Sequence, residues 1–294
     1  MSTSHNTYEV HALRYATRTS KKSQEYFRYD LYRCPDEVQQ MDYYFWLLRN
    51  DERTVLVDCG FDKVRGMAKN RAQETDPLEL LDRMDVRPAD VDHVIISHMH
   101  YDHVGNVGLF PNSIVTMARA EYEFWTGPYG SRELMQAIVI PEELRIVQDL
   151  DRQERLRLVD DSEEVLPGIV VTRLGGHTSG QAMVEVAAGS QGIVLASDAA
   201  HYYEEIEYDR PFRLFDDIGD MYGALDTLRE LDARPDKTVI AGHDPRVGAM
   251  FKAVRSNCID LTAPQDGLQV QSHLHRPGRR ASIDIEGNCC EPNR

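Results

Sequence analysis

Apolar and polar positions alternate with two different periods along this chain. Tyr8 to Arg18 is rich in β-formers and reads as a strand. Residues 19–40 carry charge and turn formers, Cys34-Pro35-Asp36 among them, and read as a long loop. Two apolar runs follow, MDYYFWLLRN (41–50) and TVLVDCG (54–60), around Asp51-Glu52-Arg53. That arrangement predicts a β-hairpin. Across 63–85, Leu78, Leu80, Leu81 and Met84 stand among charges as in an amphipathic helix. Pro88 and Asp90 punctuate the chain before VDHVIIS (91–97), a short buried strand.

The second half repeats these types. Ile114 to Met117 predicts a strand, Arg119 to Trp125 a helical turn, and 131–158 mixes helix signals with charge. Gly168–Leu174, Ala182–Ala187 and Gly192–Ser197 read as strands, and Asp216–Leu231 as a helix. Lys237–Ala241 reads as the last strand and Met250–Leu261 as a closing helix. Strands in two batches, each followed by helices, predict a layered α/β fold. After about Pro264 the chain turns Gln-, Arg-, Gly- and Asn-rich. The expected division is one folded domain over 1–263 and a disordered tail over 264–294. His273 and His275 fall in that tail and read as solvated residues, since an unstructured segment holds no metal geometry.

Composition narrows the class. Of 294 residues, 41% are hydrophobic and 28% charged, enough apolar material for a sizeable core. The net charge of −16 disfavours a nucleic-acid partner, which needs a basic face. No apolar run approaches the ~20 residues of a membrane span. Residues 1–22 lack the apolar stretch of a secretory signal. The expectation is a cytoplasmic protein with no membrane partner. Five cysteines, an odd count with no CxxC, argue against a disulfide framework and a Cys-type zinc site. Cys59 and Cys258 read as small buried apolar residues.

The chemistry concentrates in Ser97-His98-Met99-His100-Tyr101-Asp102-His103, directly after a predicted strand. An extended chain sends His98 and His100 to one side. A turn into a helix brings Asp102 and His103 round to a neighbouring point. Two clusters a few ångströms apart suit two divalent cations that share one bridging water. Imidazoles with a carboxylate suit zinc first, and also iron, manganese or cobalt. Four ligands cannot complete two sites. Further candidates stand at later strand ends: His177 in LGGHTSG, Asp198 in VLASDAAH and His243 in VIAGHDP.

HxHxDH, GGHTSGQ, SDAAH and AGHD, in this order, resemble the metallo-β-lactamase superfamily over roughly Tyr8 to Leu261. The resemblance implies an αββα sandwich with the metal site at the edge between two sheets. VDCG looks like the family's VDTG-like turn, with Asp58 orienting the ligand loop and Cys59 in place of Thr or Ser. MDYYFWLL, the hairpin into VDCGFD, and SHMHYDHVGN are most similar to the N-acyl-homoserine lactonase group. That group implies His98, His100 and His177 on one metal, Asp102, His103 and His243 on the other, and Asp198 bridging. It also implies a small lactone substrate and allows a homodimer. The group has a Tyr three residues after the bridging Asp; here His201 stands there, followed by Tyr202 and Tyr203.

The expected reaction is attack of a metal-bridging hydroxide on a lactone carbonyl. His201 or Tyr202 would hold the oxyanion, and Asp102 would pass a proton to the leaving alkoxide. Three alternatives stay open: a thioesterase of the hydroxyacylglutathione type, a cyclic amide hydrolase, and an iron-dependent oxidoreductase. Lys252 and Arg255 are the basic residues a glutathione thioester would call for.

Overall fold

The computed structural model describes residues 6–69 and 71–265. In chain order its strands are β1 (Glu9–Lys21), β2 (Val38–Arg49), β3 (Thr54–Val57), β4 (Ala72–Gln73), β5 (His93–Ile95), β6 (Ile114–Ala118), β7 (Leu156–Val159), β8 (Ser162–Leu166), β9 (Ile169–Arg173), β10 (Ala182–Ala188), β11 (Gln191–Ser197), β12 (Lys237–Ala241), β13 (Phe251–Arg255) and β14 (Cys258–Pro264). Among the described residues they form two sheets. The larger runs β13-β14-β1-β2-β3-β5-β6-β7, with β4 also on β1, and the smaller runs β12-β11-β10-β9-β8.

The apolar run in β2 is continuous because both of its faces are buried. Tyr43, Phe45 and Leu47 point into a core shared with Leu80, Leu81 and Trp125 from the helices outside the larger sheet. Tyr44, Trp46 and Leu48 point the other way and meet Val184, Val186 and Ile193 of the smaller sheet. On the outer face of the smaller sheet, Met183 and Val194 pack against Leu225 and Leu228 of the helix Ile218–Asp232. Helix, sheet, sheet, helix is thus the order of layers, as the αββα expectation has it.

Strand direction fixes where the functional loops emerge. β3 and β5 are parallel, so Asp58 and His98 leave the larger sheet at one edge. β11 and β12 are parallel, and β9 runs the same way through the antiparallel β10. The segments carrying His177, Asp198 and His243 therefore leave the smaller sheet at one edge as well.

Several expectations are corrected. Met250–Leu261 is not a closing helix, and β12 is not the last strand. Phe251–Arg255 and Cys258–Pro264 form a hairpin, and β14 pairs with β1 inside the sheet. Its turn is Ser256-Asn257, where Asn257 takes φ 61, a conformation asparagine tolerates. The stretch 63–85 holds two helices, Lys63–Ala68 and Pro77–Arg83, separated by β4. Asp76 caps the second by accepting from Leu78 N, with Pro77 in its first turn. The loop expected over 19–40 is shorter, because β1 reaches Lys21 and β2 starts at Val38. β7 and β8 lie where helix signals and charge blur the strand pattern.

Cys59 and Cys258 are buried free thiols, whereas Cys34 is disulfide-bonded, against the reading of the odd cysteine count. β14 runs to Pro264, one residue into the expected tail, and Gln265 N still donates to Met250 O. The rest of that tail, with His273 and His275, lies outside the described residues. Among the described residues, no helix is long and apolar enough to cross a membrane.

Candidate metal centre

The loop after β5 opens into the short helix Tyr101–Val104. This places His98 and His100 on the extended approach and Asp102 and His103 on the first helical turn. The other three candidates arrive from the smaller sheet: His177 after β9, Asp198 after β11 and His243 after β12. The structure brings all seven together in two groups, His98, His100, His177 and Asp198, and then Asp102, His103 and His243. Within each group the candidate ligand atoms lie within 4.8 Å of one another.

Asp198 spans the groups. Its Oδ2 lies 3.2 Å from His177 Nε2 and 3.7 Å from His98 Nε2. Its Oδ1 lies 2.9 Å from His243 Nε2 and 3.3 Å from His103 Nε2. The imidazoles are aimed by their other nitrogens. His103 Nδ1 sits 2.7 Å from Asp58 Oδ2, His177 Nδ1 2.8 Å from Leu214 O, and His243 Nδ1 2.8 Å from Asp42 O. This is how outer partners fix tautomer and ring orientation around a metal. Asp58 also accepts from Ser97 N and Ser97 Oγ, each at 2.8 Å. It therefore ties β3 to the His98 loop. Asp58 and Ser197 hold φ of 58° and 47°, left-handed values that non-glycine residues keep where surrounding structure enforces them.

The donor set fits divalent cations. His98 Nε2, His103 Nε2 and Asp198 Oδ1 are buried and have no hydrogen-bond partner. Buried polar atoms rarely go unpaired, and these converge on one space. Burial first, then the neighbouring imidazoles, holds His98 and His100 well below the usual histidine range. They are therefore neutral, the state a ligand needs. Asp198 is held well below the carboxylate range: burial opposes this, but His201, His103 and His243 outweigh it. Asp102 keeps 13% of its side chain exposed, so among the carboxylates of the centre it is the one that solvent reaches.

His201 joins this cluster. Its Nε2 lies 3.0 Å from Asp198 Oδ2 and its Nδ1 3.4 Å from Glu205 Oε1. Its ring stacks on Phe212 at 3.6 Å. Burial opposes its charge, but Asp198 and Glu205 push it up to about 9. Tyr202 belongs to neither group. Its ring packs 5.9 Å from Tyr26, and its hydroxyl is buried with no hydrogen-bond partner.

Glu121 is the functional residue that sequence reading missed. It is fully buried at the start of the helix Arg119–Thr126. One oxygen accepts from Met99 N and Trp125 Nε1 at 2.8 Å each; the other accepts from Thr178 Oγ1 at 2.7 Å and Gly180 N at 2.8 Å. It thereby clamps the His98–His103 loop to the His177 loop. The available signal was an acidic residue four positions before Trp125 on a helix packed into the core. Asp42 and Leu214 act through backbone carbonyls and leave no side-chain signal.

Residues 41–243 match the metallo-beta-lactamase superfamily. The chain belongs to that superfamily and is a metal-dependent hydrolase of it. An N-acyl homoserine lactonase of Bacillus sp is 26% identical over 225 residues, 71% of this chain and 84% of the relative. The N-acyl homoserine lactonase AttM of Agrobacterium fabrum is 30% identical over 171 residues, 56% of this chain and 62% of the relative. The crystal structure of a quorum-quenching N-acyl homoserine lactone lactonase superposes with a TM-score of 0.68 at 22% identity, covering 84% of this chain and 96% of that one. AidC, a dizinc quorum-quenching lactonase, superposes with a TM-score of 0.65 at 17% identity, covering 82% and 92%.

Proposed function

We propose that this enzyme opens the ring of a lactone, an N-acyl-homoserine lactone or a close relative, with two zinc ions as its resident metals. The observation that carries the reading is Asp198, whose two oxygens face the two ligand groups separately. The relatives named lactonases support the substrate class. His98, His100 and His177 would hold one ion, Asp102, His103 and His243 the other, and Asp198 both.

When bound, such a pair of cations supplies a water acidified towards neutral pH and a Lewis acid for the carbonyl. The chain's own residues do the rest. Asp58, Glu121 and the Asp42 carbonyl hold the loops and rings, so little reorganisation is needed as charge develops. His201, propped on Glu205 and stacked on Phe212, presents an N–H beside Asp198 and is the donor proposed for the oxyanion. Asp102, the solvent-reached carboxylate of its group, is the group placed to pass a proton to the leaving alkoxide. Tyr202 is kept as a substrate-contact candidate rather than an oxyanion donor. Lys252 and Arg255 stand on β13, the outermost strand of the larger sheet, which argues against a glutathione thioester there.

Chromatographic detection of the hydrolysed products from a panel of lactones, thioesters and cyclic amides tests the substrate class. The expected result is ring opening of lactones by the native enzyme and none by Asp198→Asn. Turnover confined to thioesters or amides, or oxygen consumption by an iron-loaded protein, would overturn it.

A further inference from the structure

Where the helix Pro77–Arg83 ends against the larger sheet, a cavity of about 160 Å³ opens that the proposed reaction does not use. Its wall brings together Arg49, Arg83 and Arg255, the last residues of β2, of that helix and of β13. His11 of β1 and Asp85 complete the polar lining. The chain as a whole has 49 acidic residues against 33 basic, yet here three guanidinium groups face one carboxylate.

Two of these arginines are fixed by the frame. Arg49 Nη1 donates to Met84 O and Arg83 Nη1 to Ser256 O, each at 3.0 Å. Their charges are only partly met. Arg83 Nη2 pairs with Glu79 at 2.7 Å and Arg49 Nη2 with Glu9 at 3.5 Å, but both carboxylates are more than half exposed, and such pairs contribute little. Arg255 has no ion-pair partner among the described residues, and its Nη1 donates to Val254 O at 3.1 Å. His11 is 5% exposed, and its Nδ1 is buried with no hydrogen-bond partner. Asp260 stands opposite His11 on β14, but its Oδ1 accepts from Thr262 N at 2.8 Å and Thr262 Oγ1 at 2.6 Å. Burial, with Arg49 adding, holds His11 below the usual histidine range against Asp260 and Glu9. An orphaned buried nitrogen beside three converging cations is a cost that a bound anion removes.

We infer that this cavity binds a phosphate group, free or on a small monoester, at a site distinct from the metal centre. Guanidinium forks suit phosphate oxygens. A tetrahedral anion takes donors from three separate directions at once, whereas a carboxylate takes them in one plane. His11 Nδ1–H supplies a fourth donor. Arg255 and Asp85 are exposed, so the organic part of an ester can lie outside. Arg49 ends β2 roughly 24 Å of strand beyond Asp42, whose carbonyl holds His243. The inference therefore draws on neither the metals nor the lactonase reading.

Calorimetric titration with inorganic phosphate, in phosphate-free buffer, tests it on the metal-loaded protein and on Asp198→Asn, because the metals are the competing place for phosphate. Both are expected to bind one phosphate with the same affinity away from the metals. Arg83→Gln and Arg255→Gln are each expected to weaken that binding at least about tenfold, the size one charge-assisted hydrogen bond supports. The surface control Arg119→Gln is expected to leave it unchanged. Should Arg83→Gln fail to fold, Arg255→Gln on the outermost strand carries the test. Phenyl phosphate binding as well as inorganic phosphate assigns the site to monoesters, and binding of inorganic phosphate alone assigns it to the free ion; either supports the site. No binding by native protein, binding lost in Asp198→Asn, or undiminished binding in a folded Arg255→Gln overturns it.

Discussion

Asp58 accepts three hydrogen bonds within 2.8 Å and contributes no atom to either ligand group. Asp58→Asn replaces one accepting oxygen with an N–H donor facing groups that themselves donate. His103 then loses its fixed orientation. The expected outcome is metal affinity lower by about 10–100-fold, as for other outer partners of ligand histidines. Competition with a chromophoric chelator measures it, and the first ion to leave should be the one on the Asp102, His103 and His243 group. A second residue gives a pH signature. Glu143 is fully buried. Burial raises its carboxyl to about 8, with Arg65 opposing and Asp102 adding. A folded-state value above the ordinary 4.5 means the native state holds the extra proton. That stabilisation is complete below 4.5 and is lost as pH rises through about 8. Urea unfolding of native protein and Glu143→Gln at points across this window should show a smaller decline in the variant. Equal slopes would contradict the assignment. At this scale the seven metal-ligand candidates were legible because each is a distinctive residue beside an apolar strand. Glu121 was not, because its role comes from which donors it meets after folding.

Elements show where local pattern misleads. Met250 to Leu261 has few turn residues and scattered charge, so it reads as a helix. Pairing of β14 with β1 makes it strand. A two-residue turn with Asn257 in the left-handed region closes the hairpin, and Asn257 Oδ1 accepts from Arg14 Nη2 at 3.1 Å. Asn257→Val should destabilise the fold by about 1–2 kcal/mol from backbone strain, with more for the lost hydrogen bond. Asn257→Gly should keep the backbone and lose only the side-chain contact. Chemical denaturation ranks the two; a valine variant as stable as native would refute the turn's importance. The helix Arg119–Thr126 carries the clamp between ligand loops. A Cβ on Gly180 would lie 2.3 Å from Glu121 N, so Gly180→Ala cannot be accommodated without moving one loop. Its expected signature is metal loss during dialysis in a protein whose circular dichroism is unchanged. Retention of both metals would contradict it.

The whole molecule joins two sheets whose functional loops leave at matching edges. The larger sheet supplies His98, His100, Asp102 and His103, and the smaller supplies His177, Asp198 and His243. Bound cations therefore cross-link the two halves of the sandwich. Ligands that bind only the native state raise its stability by mass action. Chelation should lower the thermal midpoint, and zinc should restore it; a midpoint indifferent to chelator would refute the cross-link. The layered fold was legible because strands arrived in two batches and the ligand motifs sat at their ends. The sheet order was not legible. β13 and β14 lie late in the chain and pair with β1, and no local pattern records so distant a partner.

The most direct test of the two-metal centre is the metal content of purified native protein and of Asp198→Asn, determined by elemental analysis alongside lactone ring opening. The expected result is two zinc ions per native chain, fewer in the variant, and ring opening lost with chelation and regained with zinc. One metal or none in a native protein that still opens lactones would contradict it.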